Sequence, residues 1–367
     1  MDILVLGGTG AMGKPVVEIL AKRGDAVFVT TRKQRTGELQ NITYLVGDAH
    51  NKEFLTEILH KRRYGAIIDF MVYTSAELKD RMDLLLSNTD QYVFLSSSRV
   101  YADTGVDLIT EKSPRLLDVC DDKVYLQTDE YALAKGREED LLMESGKKNY
   151  TIIRPYITYN DERLQLGVFE KEVWLQRALK GKKIIFSIDM AEKYTTLTYG
   201  NDVAKAICNL LGNGNTLGEI FNVVSSKAIR WEDVLRLYLD AIEEVTGKRP
   251  EAVVVDNCDF IIDKNNYYQA HYDRLVNRQF DNYKIKEFMS ADENFTDADD
   301  GLRNCLVNFL SSSRIFSRID WTREALMDRL SGDRSEIVKI PGLKNKLKYI
   351  VIRYLPMWMW GYRVYHR

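Results

Sequence analysis

The chain has 367 residues, enough for a large core and roughly two domains, and its formal net charge is only −2. This even balance gives no general attraction to nucleic acid, and no apolar run reaches the roughly 20 residues of a membrane-spanning helix. Four cysteines are scattered without the paired spacing of a zinc site, and there are only four histidines. We therefore expect no metal, no signal peptide and a cytoplasmic location.

The first predicted element is a strand, Ile3 to Leu6, which breaks into a glycine-rich turn. Gly7, Gly10 and Gly13 follow in the spacing G-x-x-G-x-x-G, and Pro15 suits the first turn of the next helix. A strand, a glycine turn and a helix in this order direct backbone N–H groups at an anion, ideally a dinucleotide pyrophosphate. The alternative is a tight strand–helix turn that binds nothing.

This spacing resembles that of the short-chain dehydrogenase/reductase superfamily, in particular its extended, epimerase/dehydratase-like branch. The resemblance implies an α/β protein with a Rossmann-like, doubly wound parallel sheet and a smaller α/β C-terminal substrate domain. It also implies that several residues contact the cofactor, namely Gly7, Gly10, Ala11, Met12, Gly13 and Pro155.

The end of the second predicted strand, Ala26 to Thr30, is basic. Arg32, Lys33 and Arg35 follow it, where NAD-binding folds usually place an acid that holds the ribose 2′-hydroxyl. A guanidinium fits a 2′-phosphate, so the pattern favours NADP, with NAD as the alternative. The alternative is that these basic residues form a solvated loop with no role in cofactor binding.

The third predicted strand, Tyr44 to Asp48, has an acidic end. The resemblance implies that the Asp48 carboxylate binds the adenine amino group and that Ala49 lies beside the cofactor. The fourth strand, Ala66 to Met71, precedes a helix that we expect Ser75 to cap.

The fifth predicted strand runs into Ser96-Ser97-Ser98-Arg99-Val100-Tyr101. This run is similar to the family's S-[S/T]-x-x-V-Y, which implies that Ser97 is the catalytic hydroxyl. Ligands of open α/β sheets bind at such strand ends. A serine-rich turn is the alternative, but it leaves the Val-Tyr unexplained.

A predicted helix, Asp129 to Gly146, contains Tyr131 and Lys135 on one face, because they are four residues apart. With 21 tyrosines in the chain, this spacing alone is weak evidence. Its position between the Ser97 strand and the strand ending in Arg154-Pro155 matches the family. The resemblance implies that Tyr131 exchanges a proton with the substrate and that Lys135 favours the phenolate and anchors the nicotinamide ribose.

Ser98-Arg99 stands where similar sugar-nucleotide dehydratases carry Asp-Glu, so dehydration is disfavoured. Epimerisation or carbonyl reduction of a nucleotide sugar remains, and NADP favours reduction. The alternative is a non-catalytic dinucleotide- or RNA-binding relative, since the fourth strand is similar to that of chloroplast stem-loop RNA-binding relatives. The charge balance argues against RNA.

We predict a dinucleotide-binding domain over residues 1–155, with returning elements around 195–224, and a substrate domain over 156–330. Phe280-Asp281-Asn282-Tyr283-Lys284 resembles a late motif of the family's substrate domain. A homodimer is expected.

The basic, aromatic segment 331–367 stands apart. From Lys339 onward it has seven Lys/Arg and no acid. One predicted helical face carries apolar residues: Leu343, Leu347, Ile350, Val351 and Tyr354. Such a helix can lie on an anionic membrane surface. We favour instead packing on the protein body or a subunit, because core-facing helices show the same stripe.

Overall fold

The computed structural model describes residues 1–10, 12–35, 39–105, 107–262, 265–312, 316, 319–356 and 359. Its strands are β1 (Asp2–Leu6), β2 (Ala26–Thr31), β3 (Ile42–Val46), β4 (Tyr64–Asp69), β5 (Thr89–Leu95), β6 (Tyr150–Pro155), β7 (Thr158–Tyr159), β8 (Gln165–Leu166), β9 (Phe169–Glu170), β10 (Ile184–Ser187), β11 (Tyr194–Thr196), β12 (Thr198–Tyr199), β13 (Glu219–Val223), β14 (Ala228–Arg230) and β15 (Ala252–Val255).

The helices are α1 (Gly13–Arg23), α2 (Lys52–Lys61), α3 (Ser75–Ser87), α4 (Leu116–Val119), α5 (Lys123–Leu126), α6 (Tyr131–Met143), α7 (Lys171–Leu179), α8 (Ile188–Ala191), α9 (Gly200–Leu210), α10 (Trp231–Thr246), α11 (Tyr267–Gln269), α12 (Tyr283–Lys286), α13 (Ala298–Ser311), α14 (Trp321–Ser331) and α15 (Leu343–Tyr354). Short 3₁₀ turns include Ser98–Val100. No helix among the described residues is long and apolar enough to cross a membrane.

Seven of the described strands form one parallel sheet in the order β13-β6-β5-β4-β1-β2-β3. The strand order reverses between β1 and β4, as in a doubly wound Rossmann sheet, so the predicted fold class is confirmed. Ligands of such sheets bind near this reversal, beyond the carboxyl ends of the strands.

Both faces of this sheet are buried, which explains why β1 is apolar without alternation. Ile3 and Val5 face a core shared with α1 and α9, whereas Leu4 and Leu6 face a core shared with α2, α3 and α6. Successive side chains of a strand point to opposite faces, so one short apolar run serves two helical layers.

The chain divides into two compact units. Unit 1 contains Met1–Thr158, Thr196–Lys227 and Gln279–Asp297, and therefore the whole parallel sheet. Unit 2 contains Tyr159–Thr195, Ala228–Arg278 and Ala298–Arg367. Within unit 2, β10 pairs with β15 in parallel, and the buried rings of Trp174 and Tyr238 stack with centroids 4.3 Å apart.

These units differ from the predicted boundaries in two places. Residues 279–297 lie in unit 1, because the Ile109 N–H donates to the Gln279 carbonyl and the Phe280 ring lies 5.0 Å from that of Tyr156. Residues 331–356, which are predicted to stand apart, lie in unit 2, where α15 packs on α14.

Candidate active site at the carboxyl ends of the central strands

The turn between β1 and α1 leaves room for a ligand close to the backbone. Gly7 has a φ of +70°, which favours glycine. A Cβ on Gly13 would lie 2.6 Å from the Gly8 Cα, so only glycine lets α1 approach the turn this closely. A Cβ on Gly10 would meet only the Gly7 carbonyl, at 3.8 Å. Met12, the residue before α1, provides no side-chain cap, which leaves N–H groups in the first turn of the helix available to an anion. The turn therefore fits a pyrophosphate, while Ala11 lies outside the described residues.

The residues predicted to select the adenosine end of the cofactor lie after β2 and β3. Arg32 is exposed directly beyond β2. Asp48 is exposed beyond β3, and its carboxylate accepts the His50 N–H at 3.0 Å, whereas Ala49 is buried. Because β2 pairs in parallel with β1, and β3 in parallel with β2, both positions lie at the same edge of the sheet as the glycine turn.

The three serines after β5 have different partners. Ser96 donates to Glu139 at 2.5 Å, and Ser98 donates to the Arg154 carbonyl at 2.8 Å. The Ser97 Oγ instead accepts the Arg99 backbone N–H at 3.2 Å. The hydroxyl proton of Ser97 therefore remains for a ligand oxygen, as its predicted role requires.

Tyr131 is the first residue of α6, and its side chain is 36% exposed. The Arg99 guanidinium lies over its ring, 5.4 Å from the centroid, and pairs with Glu130 at 2.7 Å. Glu130 in turn caps α6 by accepting the Ala132 N–H. Ser97 and Tyr131 thus share one neighbour, Arg99, whose role as a link between them is not evident from the sequence.

Lys135 differs from its predicted surroundings. Its ammonium is buried, donates to Glu138 at 2.8 Å and lies 4.5 Å from the centroid of the Phe94 ring. The cation over the Tyr131 ring is therefore Arg99, and the charge of Lys135 is neutralised by a carboxylate within the same helix.

Two buried carboxyl groups surround Lys135. Asp69 accepts hydrogen bonds from the hydroxyls of Tyr92 and Tyr73 and from the Met71 N–H, and burial raises its pKa. Burial raises the pKa of Glu138 to about 7 although Lys135 opposes the shift, and its second oxygen has no hydrogen-bond partner. Sequence reasoning missed both acids. The signal for Glu138 was its position one helical turn after Lys135.

A second buried network holds the strand ends in place. Arg154 donates twice to Glu139, at 2.8 and 2.6 Å, and once to the Tyr101 hydroxyl at 2.7 Å. Tyr101 donates to Asn222 on β13, and burial raises the pKa of its phenol to about 12. The Val-Tyr after Ser97 and the Arg before the buried Pro155 therefore join β5, β6, α6 and β13. Their contribution is structural support for the site.

The sequence profile of the NAD dependent epimerase/dehydratase family matches residues 3–223. The chain belongs to this family. The match spans the glycine turn, the Ser97 turn, Tyr131 and Lys135.

Three known proteins illustrate the relationship. The chloroplast stem-loop binding protein of 41 kDa b of Arabidopsis thaliana is 26% identical over 308 residues, which are 80% of this chain and 71% of that protein. The Bordetella bronchiseptica enzyme WbmH in complex with NAD⁺ has a TM-score of 0.65 at 14% identity, covering 86% and 99% of the two chains. The Thermus thermophilus UDP-glucose 4-epimerase complex with NAD has a TM-score of 0.61 at 19% identity, covering 86% and 100%. The two structures show the shared fold.

Arg99 lies in the turn that follows β5, two residues after Ser97. A guanidinium stays protonated and has no acceptor, so it cannot act as a general acid or base. Among the described residues, no group of three or more His, Cys, Asp or Glu is arranged to hold a metal ion.

Proposed function

We propose that this protein transfers hydride reversibly between a bound nicotinamide dinucleotide and a nucleotide sugar, as an epimerase or a reductase. The observation that supports the proposal is that Ser97, beyond the end of the central strand β5, and Tyr131, at the start of α6, both contact Arg99. The glycine turn follows a parallel strand of the same sheet, so cofactor and substrate groups lie at one edge.

In this proposal the bound dinucleotide supplies the hydride chemistry, and the protein supplies position and proton transfer. Tyr131 takes the proton of a substrate hydroxyl or returns it. Ser97 donates to the reacting oxygen. Arg99 stabilises the negative charge that develops on the phenol, and Glu130 holds its guanidinium in place.

Lys135 keeps the role of holding the nicotinamide ribose. An ammonium has three donors, so Lys135 can retain its hydrogen bond to Glu138 and still donate to a ribose hydroxyl. The ion pair with Glu138 holds the ammonium in one position.

The substrate class rests on the family and on the structural similarity to the Thermus thermophilus UDP-glucose 4-epimerase. Dehydration needs an acid and a base for loss of water. Arg99, already paired with Glu130, cannot supply either, which favours epimerisation or reduction.

The test is Tyr131→Phe, assayed on a panel of nucleotide sugars with NAD and NADPH. Turnover should fall by about 10²-fold or more, the range of lost acid–base catalysis, while dinucleotide affinity stays nearly unchanged. Tyr283→Phe is the matched control, because Tyr283 is exposed on α12, and it should keep full turnover. Full activity of Tyr131→Phe on an identified substrate would overturn the mechanism.

We propose NADP rather than NAD as the preferred cofactor. The support is the exposed Arg32 immediately beyond β2, where no acid would repel a 2′-phosphate. A charge-assisted hydrogen bond to phosphate is stronger than a neutral one to a hydroxyl.

Titrations of NAD and NADP at one salt concentration test this preference. Wild type should bind NADP more tightly, and Arg32→Asp should narrow or invert the difference. Lys22→Asp makes the same charge change at the far end of α1 and should leave the ratio unaltered. Equal or tighter binding of NAD by wild type would contradict the proposal and favour an epimerase.

A second candidate function is RNA binding, favoured by the similarity to the Arabidopsis stem-loop binding protein. Salt-dependent binding of a stem-loop RNA without turnover of any nucleotide sugar would support it. The homodimer and the cytoplasmic location stay predictions of the sequence.

A further inference from the structure

Helix α15 presents an apolar stripe to solvent. Leu343, Leu347, Ile350 and Tyr354 recur at the spacing of one helical face and are 74%, 55%, 36% and 51% exposed. This is the face for which the sequence analysis favours packing on the protein body or on a subunit. Only Val351 of the predicted set is partly covered, against the small core of α14 and α15.

The opposite face of α15 anchors the helix. Tyr349 and Ile352 are buried against Ala325 and Leu326 of α14. The Tyr349 hydroxyl donates to Asp328 at 2.6 Å and accepts the Ser335 N–H at 2.7 Å. The stripe is therefore held outward by packing on its far side.

The surface around the stripe is basic. Lys344 and Lys348 are exposed on α15, which carries four basic residues and no acid. Beside the helix, the charged residues that line a cavity of about 940 Å³ are Lys180, Lys339, Lys348 and Asp320, and Lys339 pairs with Glu336. Apolar side chains flanked by cations match the chemistry of an anionic bilayer surface.

We infer that this face of α15 docks on an anionic lipid surface, with the apolar stripe entering the headgroup region and the lysines contacting lipid phosphates. The residues after α15 add Trp358, Trp360, Tyr362 and Tyr365 to the sequence, and such aromatics prefer the membrane interface.

Two other occupants fit the face less well. A second copy related by a twofold axis would place this basic face against itself, since such interfaces use the same patch on both subunits. RNA would satisfy the lysines, but it offers no apolar partner to Leu343 and Leu347.

The test uses the full chain in cosedimentation with two kinds of vesicle, phosphatidylcholine alone and phosphatidylcholine mixed with phosphatidylglycerol. Wild type should sediment with the mixed vesicles alone, and added salt should weaken the binding. The stripe variant L343E/L347E and the charge variant K344E/K348E should each lower the partition coefficient about ten-fold or more.

The matched controls are V119E/V124E, at two exposed valines of unit 1, and K22E/K79E, at two exposed lysines. Both should bind as wild type does, and equal melting temperatures should show that every variant is folded. Absence of wild-type binding to mixed vesicles, or unchanged binding by both α15 variants, would overturn the inference. So would salt-dependent RNA binding without lipid binding, or a dimer that L343E/L347E dissociates in the absence of lipid.

Discussion

At the residue scale, Tyr131 and Lys135 of α6 lie beside different charged groups. The Lys135 ammonium pairs with Glu138, and the Arg99 guanidinium covers the Tyr131 ring. Spacing within one helix predicts a shared face, whereas the partners of a buried charge depend on residues distant in sequence, such as Asp69 and Phe94.

The buried Glu138 gives the protein a pH dependence that one substitution should remove. Its pKa of about 7 in the folded protein lies above the ordinary value of 4.5. Between about pH 5 and 7 the folded state therefore holds a proton that the unfolded state has lost, so the free energy of unfolding falls as pH rises. The slope is at most about 1.4 kcal/mol per pH unit for one proton.

Urea unfolding of wild type and Glu138→Gln across this pH range measures the effect. The stability advantage of wild type over the variant should shrink as pH rises, because glutamine does not titrate. Asp69, whose charge contributes to the raised pKa of Glu138, is retained in both proteins. Glu144→Gln, at the exposed end of α6, should follow wild type, and a pH-independent difference for Glu138→Gln would refute the prediction.

At the scale of elements, hydrophobic periodicity predicts that a helix or strand is present better than it predicts the residues at which that element begins and ends. The second predicted strand, Ala26 to Thr30, is present as β2, which ends one residue later at Thr31. The predicted cap of α3 is wrong, because Thr74 accepts the Glu77 N–H while Ser75 donates to Asp129. For α15 the stripe was visible in the sequence, but its outward orientation depends on Tyr349, a residue of the opposite face.

Tyr349 should hold α15 on unit 2 through its hydroxyl. Tyr349→Phe keeps the buried ring but removes the acceptor of the Ser335 N–H and one donor to Asp328. We expect a loss of about 1–3 kcal/mol in the free energy of unfolding, the cost of leaving buried polar groups without partners. Denaturant unfolding measures it.

The same loss should not follow from Tyr354→Phe, since Tyr354 is half exposed on the same helix. Equal stability of wild type and Tyr349→Phe would show that packing alone holds α15. Deleting residues 339–367 is a poorer experiment, because it would expose the core that Tyr349 and Ile352 share with α14.

At the scale of the whole molecule, the order of strands and helices predicts the parallel sheet, because each strand–helix–strand crossover leaves few alternatives. The division into units was harder to predict. Residues 279–297 belong to unit 1 through contacts with residues far away in the sequence, such as Ile109 and Val224. Local patterns carry no signal for such contacts.

Strand β13 is synthesised long after β6, its neighbour in the sheet, so one edge of β6 is unpaired during part of translation. β6 is complete at Pro155, but its outer neighbour β13 ends only at Val223. At about 5–20 residues per second, the outer edge of β6 stays unpaired for roughly 3–14 s of synthesis. An open strand edge is a template for wrong pairing with other chains. The nascent sheet is therefore open to misassembly during the interval between the synthesis of β6 and that of β13. A nucleotide bound early at the glycine turn would not cover the unpaired edge of β6.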